Sequence, residues 1–507
     1  MKRRDLLKAA ALAATPAVLA GCAVVPAPRP VVARPEDAWL EAFGIESDAL
    51  ERTRSALGRR GADFGEIYLQ RRRLATTRVR DGVVAETATS VESGAGLRVV
   101  NGDDVRFAAV DNTDPDGLSA AADRVAGGAL DEELAVPSRQ PFEVPDGITA
   151  DDSHWGDTPN TNRQSLLGQL ADKIKRSIEG AADPRIDLDD VDEHVIVASL
   201  NGRLVADYRP MLRLTAHVDV TRGGVTQRAF FSVAGRHLPA WLHSRRLDDF
   251  VEVLMKDADL LFEARRPPGG DLPVVLAAGA GAVLIHEAIG HAFEADEVAG
   301  GRSPFATAVG DQIAAPGVTL LDDPTMSGLR GSLAFDDEGI EARRSEILRD
   351  GRLVGLLHDR HSASRAGVAS TGNGRRESFR YAPLPRTTTL VLQNGTAEPD
   401  ELLTQMGRGI IAESFAGGAV DPGLGEFRFI VRRGWYIEDG RRRMPVRDFE
   451  LIGNGAELLR NVEGIANDFR TDDAGWLGRK REQAVPIAHG MPSMLVSGLS
   501  VKPLASS

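Results

Sequence analysis

Residues Leu272–Asp296 read LPVVLAAGAGAVLIHEAIGHAFEAD. LPVVL is a short apolar run, AAGAG a small-residue break, and the remainder has the apolar pattern of a helix. The stretch predicts a strand running into a helix that carries His286, Glu287 and His291. A divalent metal needs imidazoles or carboxylates converging within about 2 Å of one point. An unligated glutamate beside them can take a proton from water. The familiar zinc helix, H-E-x-x-H, sets its histidines four apart; here they stand five apart. On a regular helix that spacing leaves the two imidazoles about 140° from each other. A π-bulge brings such positions nearly into line, and Gly290 would ease one. The spacing leaves two readings open: a distorted metal helix, or an ordinary helix with one buried and one exposed histidine.

The 507 residues suffice for two or three domains around a large core. Composition is globular, with 42% hydrophobic and 27% charged residues. The net charge of -13 argues against nucleic acid as a partner, since phosphate binding wants a basic footprint. Residues 1–22, MKRRDLLKAAALAATPAVLAGC, read as an export signal. Arg3 and Arg4 open a twin-arginine pattern, and Leu19–Cys22 fits a lipobox whose Cys22 would be lipidated. The expectation is a periplasmic protein held to a membrane by lipid, with Ala23 suiting the outer membrane. Removing this segment, with four Lys/Arg and one acidic residue, takes the charge to -16. Cys22 is the only cysteine, so the body has no disulfide and no thiolate ligand.

Residues 23–36, rich in proline, read as a stiff tether. Residues 37–245 read as an α+β domain. Ser47–Gly58 has the pattern of a capped helix, and Phe64–Gln70 of a strand. Leu97–Val100 and Phe107–Val110 flank a turn; Leu118–Ala126 and Ser165–Ile178 are helical in period. Pro141–Asn162 reads as a surface loop. Asn201-Gly202 and Arg222-Gly223-Gly224 then punctuate an antiparallel meander. Residues 246–507 read as a β-rich domain around the helix of His286, with many short strands and glycine-rich turns.

From residue 286 onward the chain resembles the TldD/PmbA family of metallopeptidases, whose signature is HExxxH. LAFDDEG (333–339), STGNGRRESFRYAPLPR (370–386), FAGGAVDPGLGEFRF (415–429), LIGNG (451–455) and IANDF (465–469) resemble its blocks in order. ADFGEIYLQ (62–70) and ESGAGLRVV (92–100) fit its N-terminal part. The resemblance implies an N-terminal α/β domain and a C-terminal β-rich one. It implies a dimer, with a second copy or a PmbA-like paralogue, around a cleft that admits unfolded peptides. It assigns His286 and His291 as ligands of zinc or another divalent metal, and Glu287 as general base.

One position departs from the family. Its third ligand is a cysteine near the C-terminus, and the matching residue here is Leu477, in DAGWLGRKREQAVPIAHGMP. Leucine cannot ligate a metal, and catalytic zinc usually takes three protein ligands. Candidates for the missing one are His489, against an exposed loop histidine, and Glu294, against a solvated or salt-bridged helix face; Asp296 is a weaker one. His358 and His361 read as structural or surface residues. Arg376 and Glu377 would line the cleft or form a basic turn. Gly417 and Gly418 would either let an extended peptide add to a sheet edge or form a bulge. Two functions stay open: a metal-dependent peptidase, and a non-catalytic scaffold or partner subunit that has lost full metal ligation.

Overall fold

The computed structural model describes residues 36–505, apart from 60, 112, 128–136, 145–153 and 422–424. The signal segment, Cys22 and nearly all of the tether lie outside the described residues. No helix among the described residues is long and apolar enough to cross a membrane.

The fold is a sheet-rich α+β one. An eight-stranded sheet takes its strands from the first half of the chain. The strand Phe64–Arg80 is its spine, paired antiparallel with Val83–Asn101 on one side and Ala181–Ser199 on the other. These strands run far longer than the apolar alternation in the sequence predicts. The outer halves of the first and third keep one apolar face, with Val79, Ile186 and Leu188 buried in a second core under the helices Asn160–Ser177 and Ser244–Glu263, while residues 83–91 are exposed. Alternate side chains take opposite faces. Ile67 and Leu69 join the core under the helices Ser47–Gly58 and Pro115–Ala126, while Tyr68 packs with Phe335 and Phe379 from the second half. Ser47 does not cap its helix: Glu46 holds that position, and the Ser47 hydroxyl donates to Asp37 Oδ1 at 2.8 Å. Nor is Pro141–Asn162 all surface loop. Trp155 within it is buried, and its indole N–H donates to the His237 carbonyl at 2.7 Å.

The second half builds two six-stranded sheets. In one, Gly270–Leu276 lies between Gly409–Val420, its parallel neighbour, and Met494–Pro503, its antiparallel one. In the other, Thr389–Leu392 runs parallel to Ala488–Met491. The helix Ala282–Ile289 shares one core with side chains of both sheets, among them Val274, Ile410, Leu390 and Met491. These two pairings are parallel, and both serve the helix. The first supports the strand that feeds it, and the second places His489 beside Leu390.

The face of the large sheet opposite its helices meets the second half through buried charge. Arg98 bridges Glu66 and Glu338, Arg376 Nη2 reaches Glu66 Oε1 at 2.9 Å, and Arg209 Nη1 reaches Asp337 Oδ1 at 2.6 Å. Buried ions need such pairing, because an uncompensated one costs several kcal/mol.

Candidate metal centre and cleft

The helix Ala282–Ile289 buries every residue except Glu287, which is partly exposed. Its C-terminal end is irregular. The Gly290 N–H is shared between the carbonyls of His286 and Ile285, the second being an i→i−5 bond of the π type. Ile289 then leaves helical geometry (φ -138°, ψ -20°), and Gly290–Phe293 continues as a tighter 3₁₀ turn. The distortion expected at Gly290 is present, but the chain tightens after one π-type bond instead of widening. A Cβ on Gly290 would lie 3.2 Å from Leu390 and 3.5 Å from His286 Nδ1, a tight fit that would press on the Leu390 side chain. The break sets the His286 and His291 rings 5.1 Å apart at 71°.

His286 is fully buried, and neither ring nitrogen has a hydrogen-bond partner. Burial, reinforced by His291 and His489, holds its pKa well below the ordinary value, so the ring is a neutral donor of lone pairs. A Cβ on Gly478 would sit 3.6 Å from its Nε2, which places that nitrogen against the hairpin formed by Leu477–Lys480 and Gln483–Pro486. Leu477 itself is 38% exposed and supplies nothing to the site.

His489 is no loop residue. It lies in the strand Ala488–Met491, fully buried, with its ring 5.9 Å from that of His286. Asp472 stands directly opposite it in the antiparallel ladder. Asp472 Oδ2 lies 3.0 Å from His489 Nε2 and also accepts from the Trp476 indole at 2.8 Å. These bonds overcome burial and keep the Asp472 carboxyl below its usual range. The Nδ1 of His489 is buried with no partner.

Both oxygens of Glu294 are engaged. Oε1 lies 3.2 Å from His291 Nδ1 and accepts from the Thr387 N–H at 3.2 Å; Oε2 takes Lys480 Nζ at 2.7 Å. Burial would raise its carboxyl, but His291 and Lys480 drive it well below the usual range. Glu294 in turn raises the His291 pKa against the effect of burial. Asp296 Oδ1 shares Lys480 at 2.5 Å. Glu294 and Asp296 thus form a salt-bridged cluster behind His291.

Glu287 and His291 line a cleft of about 440 Å³, bounded also by Arg302, Val420, Arg479 and Lys480. Burial raises the Glu287 carboxyl above its ordinary value, against His291, His489 and Arg386. Gly417 and Gly418 lie in Gly409–Val420 at a register shift. Both readings of this pair meet here. The strand is bulged, and among the described residues its 415–420 half has a ladder on one side only, while Ile410–Ala412 pair on both.

The other expected cleft residues lie elsewhere. Arg376 has a fully buried side chain tied to Glu66 and stacked 4.4 Å over the Tyr68 ring. Its charge is used in joining the two halves of the chain. Glu377 Oε2 accepts from the Ala484 N–H at 2.7 Å, which anchors the Leu477–Pro486 hairpin. His358 Nδ1 lies 3.2 Å from the Ser362 hydroxyl near the start of the helix Arg360–Ala366. His361 lines a neighbouring pocket with it. Asp472, Lys480 and Arg386 were not legible from the sequence, because no spacing marks a residue that meets the site only through strand pairing.

Among the described residues no three His, Cys, Asp or Glu side chains already gather closely enough to hold an ion. Comparison with known proteins places the chain. Residues 269–503 match the PmbA/TldA metallopeptidase C-terminal domain, and residues 65–129 match PmbA/TldA metallopeptidase domain 1. The metalloprotease TldD homolog of Haemophilus influenzae is 32% identical over 457 residues, 88% of this chain and 94% of that protein. The zinc metalloprotease TldD homolog of Saccharolobus solfataricus is 31% identical over 238 residues, 46% of this chain and 52% of that protein. The crystal structure of TldE from Thermococcus kodakarensis shares the fold, with a TM-score of 0.69 at 18% identity over 90% of this chain and all of that one. This chain belongs to the TldD/PmbA family of metallopeptidases.

Proposed function

We propose that the protein is a metal-dependent peptidase in which His286 and His291 hold a divalent ion and Glu287 acts as general base. One observation carries the reading: a fully buried histidine with both ring nitrogens unpartnered stands 5.1 Å from a second histidine, which shares a cleft with a glutamate. Unsatisfied buried polar atoms cost about 1–3 kcal/mol each, and an ion removes that cost. The donors fit zinc, which takes neutral imidazoles readily, and a related protein is named a zinc metalloprotease.

When bound, the ion supplies Lewis-acid polarisation of the scissile carbonyl and a more acidic water. Glu287, with its carboxyl raised by burial, takes the proton of the attacking water as oxygen bonds to the carbonyl carbon. It returns that proton to the leaving nitrogen as the C–N bond breaks. Glu294 fixes the His291 ring by accepting from Nδ1, which leaves Nε2 as the donor. The open edge of Gly409–Val420, with Val420 on the cleft, suits an extended, unstructured peptide adding as a strand. Arg302 and Lys480 on the cleft are paired with carboxylates, among them Glu297, and Arg479 also lines it.

Zinc loading followed by elemental analysis and a peptide-cleavage assay tests this reading. Wild type is expected to bind one ion and cleave, His286→Ala to lose the ion, and Glu287→Gln to keep it while losing cleavage by at least ~100-fold. Cleavage undiminished in Glu287→Gln overturns the assignment. The second reading, a non-catalytic subunit, draws on the exposed Leu477 where the family has its ligand. It predicts no cleavage by zinc-loaded wild type. We also propose assembly with a second copy or a PmbA-like paralogue, and export with lipid attachment at Cys22, which fractionation of Cys22→Ala checks.

A further inference from the structure

We infer that His489 completes the metal site in place of the missing cysteine, binding through Nδ1, with Asp472 as its positioning residue. The inference rests on the peptidase reading and goes past it by naming the third donor. Four observations support it.

First, Asp472 and His489 face each other in the ladder Arg470–Asp472 against Ala488–Met491. A carboxylate oxygen 3.0 Å from Nε2 pairs with its N–H, so Asp472 Oδ2 accepts from Nε2–H. In the neutral ring this leaves Nδ1 as the lone pair. A metal-bound histidine commonly has its second nitrogen on a carboxylate in this way.

Second, that lone pair has nothing to bind. His489 Nδ1 is buried without a partner, and so are both ring nitrogens of the adjacent His286. Three unsatisfied nitrogens in one buried place are a heavier cost than a packed core tolerates. A cation shared by the two rings satisfies one nitrogen of each.

Third, the spacings suit one ion. Rings around a tetrahedral zinc with bonds of about 2.0–2.1 Å stand roughly 5 Å apart, centre to centre. His286 lies 5.1 Å from His291 and 5.9 Å from His489. The His286 ring is the common neighbour of the other two.

Fourth, the competing candidate is committed elsewhere. Glu294 gives both oxygens to His291, Thr387 and Lys480. Leu477 is exposed, and the chain's single cysteine is Cys22. Three imidazoles make a harder donor set than two imidazoles and a thiolate, so the metal preference moves toward ions that imidazole suits.

The test uses the full chain, stripped and reloaded with Zn²⁺ or Co²⁺. Affinity is measured by competition with a chromogenic chelator, and the ligand count by X-ray absorption at the metal edge. The expected result is three imidazoles in wild type. His489→Ala should weaken binding by more than the 10–100-fold typical of losing an outer partner, and Asp472→Asn should fall within that range. A wild-type ion with two imidazoles, or His489→Ala binding as tightly as wild type while His286→Ala does not, overturns this inference and leaves the peptidase reading standing. Wild type with no bound metal overturns both. The ligand count in wild type decides the matter even if His489→Ala does not fold.

Discussion

Replacing Glu294 by glutamine removes one charge and preserves shape. Glu294 is fully buried, and its Oε2 holds Lys480 Nζ, whose side chain is 7% exposed. In the variant an amide N–H₂ would face that ammonium, donor against donor. Breaking a buried ion pair by removing one partner costs about 3–5 kcal/mol. Lys480 keeps Asp296 at 2.5 Å and Glu297 at 3.5 Å, so about half of that cost, roughly 2 kcal/mol, is expected. The assay is urea unfolding of metal-free protein. The double variant Glu294→Gln/Lys480→Met closes a cycle with an expected coupling of about 1–2 kcal/mol. The pH dependence has a definite sign. The folded Glu294 carboxyl lies below its unfolded value, so its contribution is complete above about pH 4.3 and is lost as pH falls further. Glu294 also raises the His291 pKa, so the difference between wild type and Glu294→Gln should grow as pH falls from 8 toward 6, level off by about pH 5, and shrink only in stronger acid. A difference within about 0.5 kcal/mol at pH 7, or one that shrinks as pH falls from 8 to 5, would refute the charged, load-sharing role given to Glu294. Zinc affinity offers an independent readout, expected to fall about 10–100-fold as the His291 ring loses its orienting charge.

Two further outcomes follow from packing and burial. Gly94→Ala would place its Cβ 2.3 Å from the buried Phe379 ring and 2.5 Å from the Val110 carbonyl, so it should destabilise the join between the large sheet and the RRESF segment by about 1–3 kcal/mol; calorimetry showing an unchanged melting temperature would contradict that packing. Burial holds His194 and His237 down to about 4. Their unfolded forms bind protons first, so their contributions are full above about pH 6.5 and fade toward pH 4. After discounting for partial solvent access, about 1 kcal/mol each should be lost between pH 7 and 5, and His194→Gln should flatten that slope.

Local pattern carried a good part of the architecture. The helix Ser47–Gly58 has the bounds its apolar spacing predicts, and the turns at Asn201-Gly202 and Gly223-Gly224 join the strands expected of them. The long outer halves of Phe64–Arg80 and Val83–Asn101 were not legible: in the first the buried face is only Ala75, Thr77 and Val79 set among arginines and threonines, and residues 83–91 of the second are exposed. The blocks DDEG and RRES were legible as special but not as to purpose. Asp337, Glu338 and Arg376 turn out to be buried partners of Arg209, Arg98 and Glu66, residues over 100 positions away that no local pattern could pair with them.

The sequence by itself determined the HExxxH spacing, the glycine at 290 that could ease a break there, and the lack of a cysteine in the body of the chain. Those are properties of neighbouring residues and of composition. Only the tertiary structure decided what stands around His286. Asp472 and His489 are brought face to face by a ladder, Thr389–Leu392 sets that ladder beside the helix by a parallel pairing, and Lys480 occupies Glu294. The physical reason is that a buried polar atom is judged by its partners. In sequence His489 is either a candidate ligand or an exposed loop histidine, and the choice turns on folding, which buries its Nδ1 with nothing to bind.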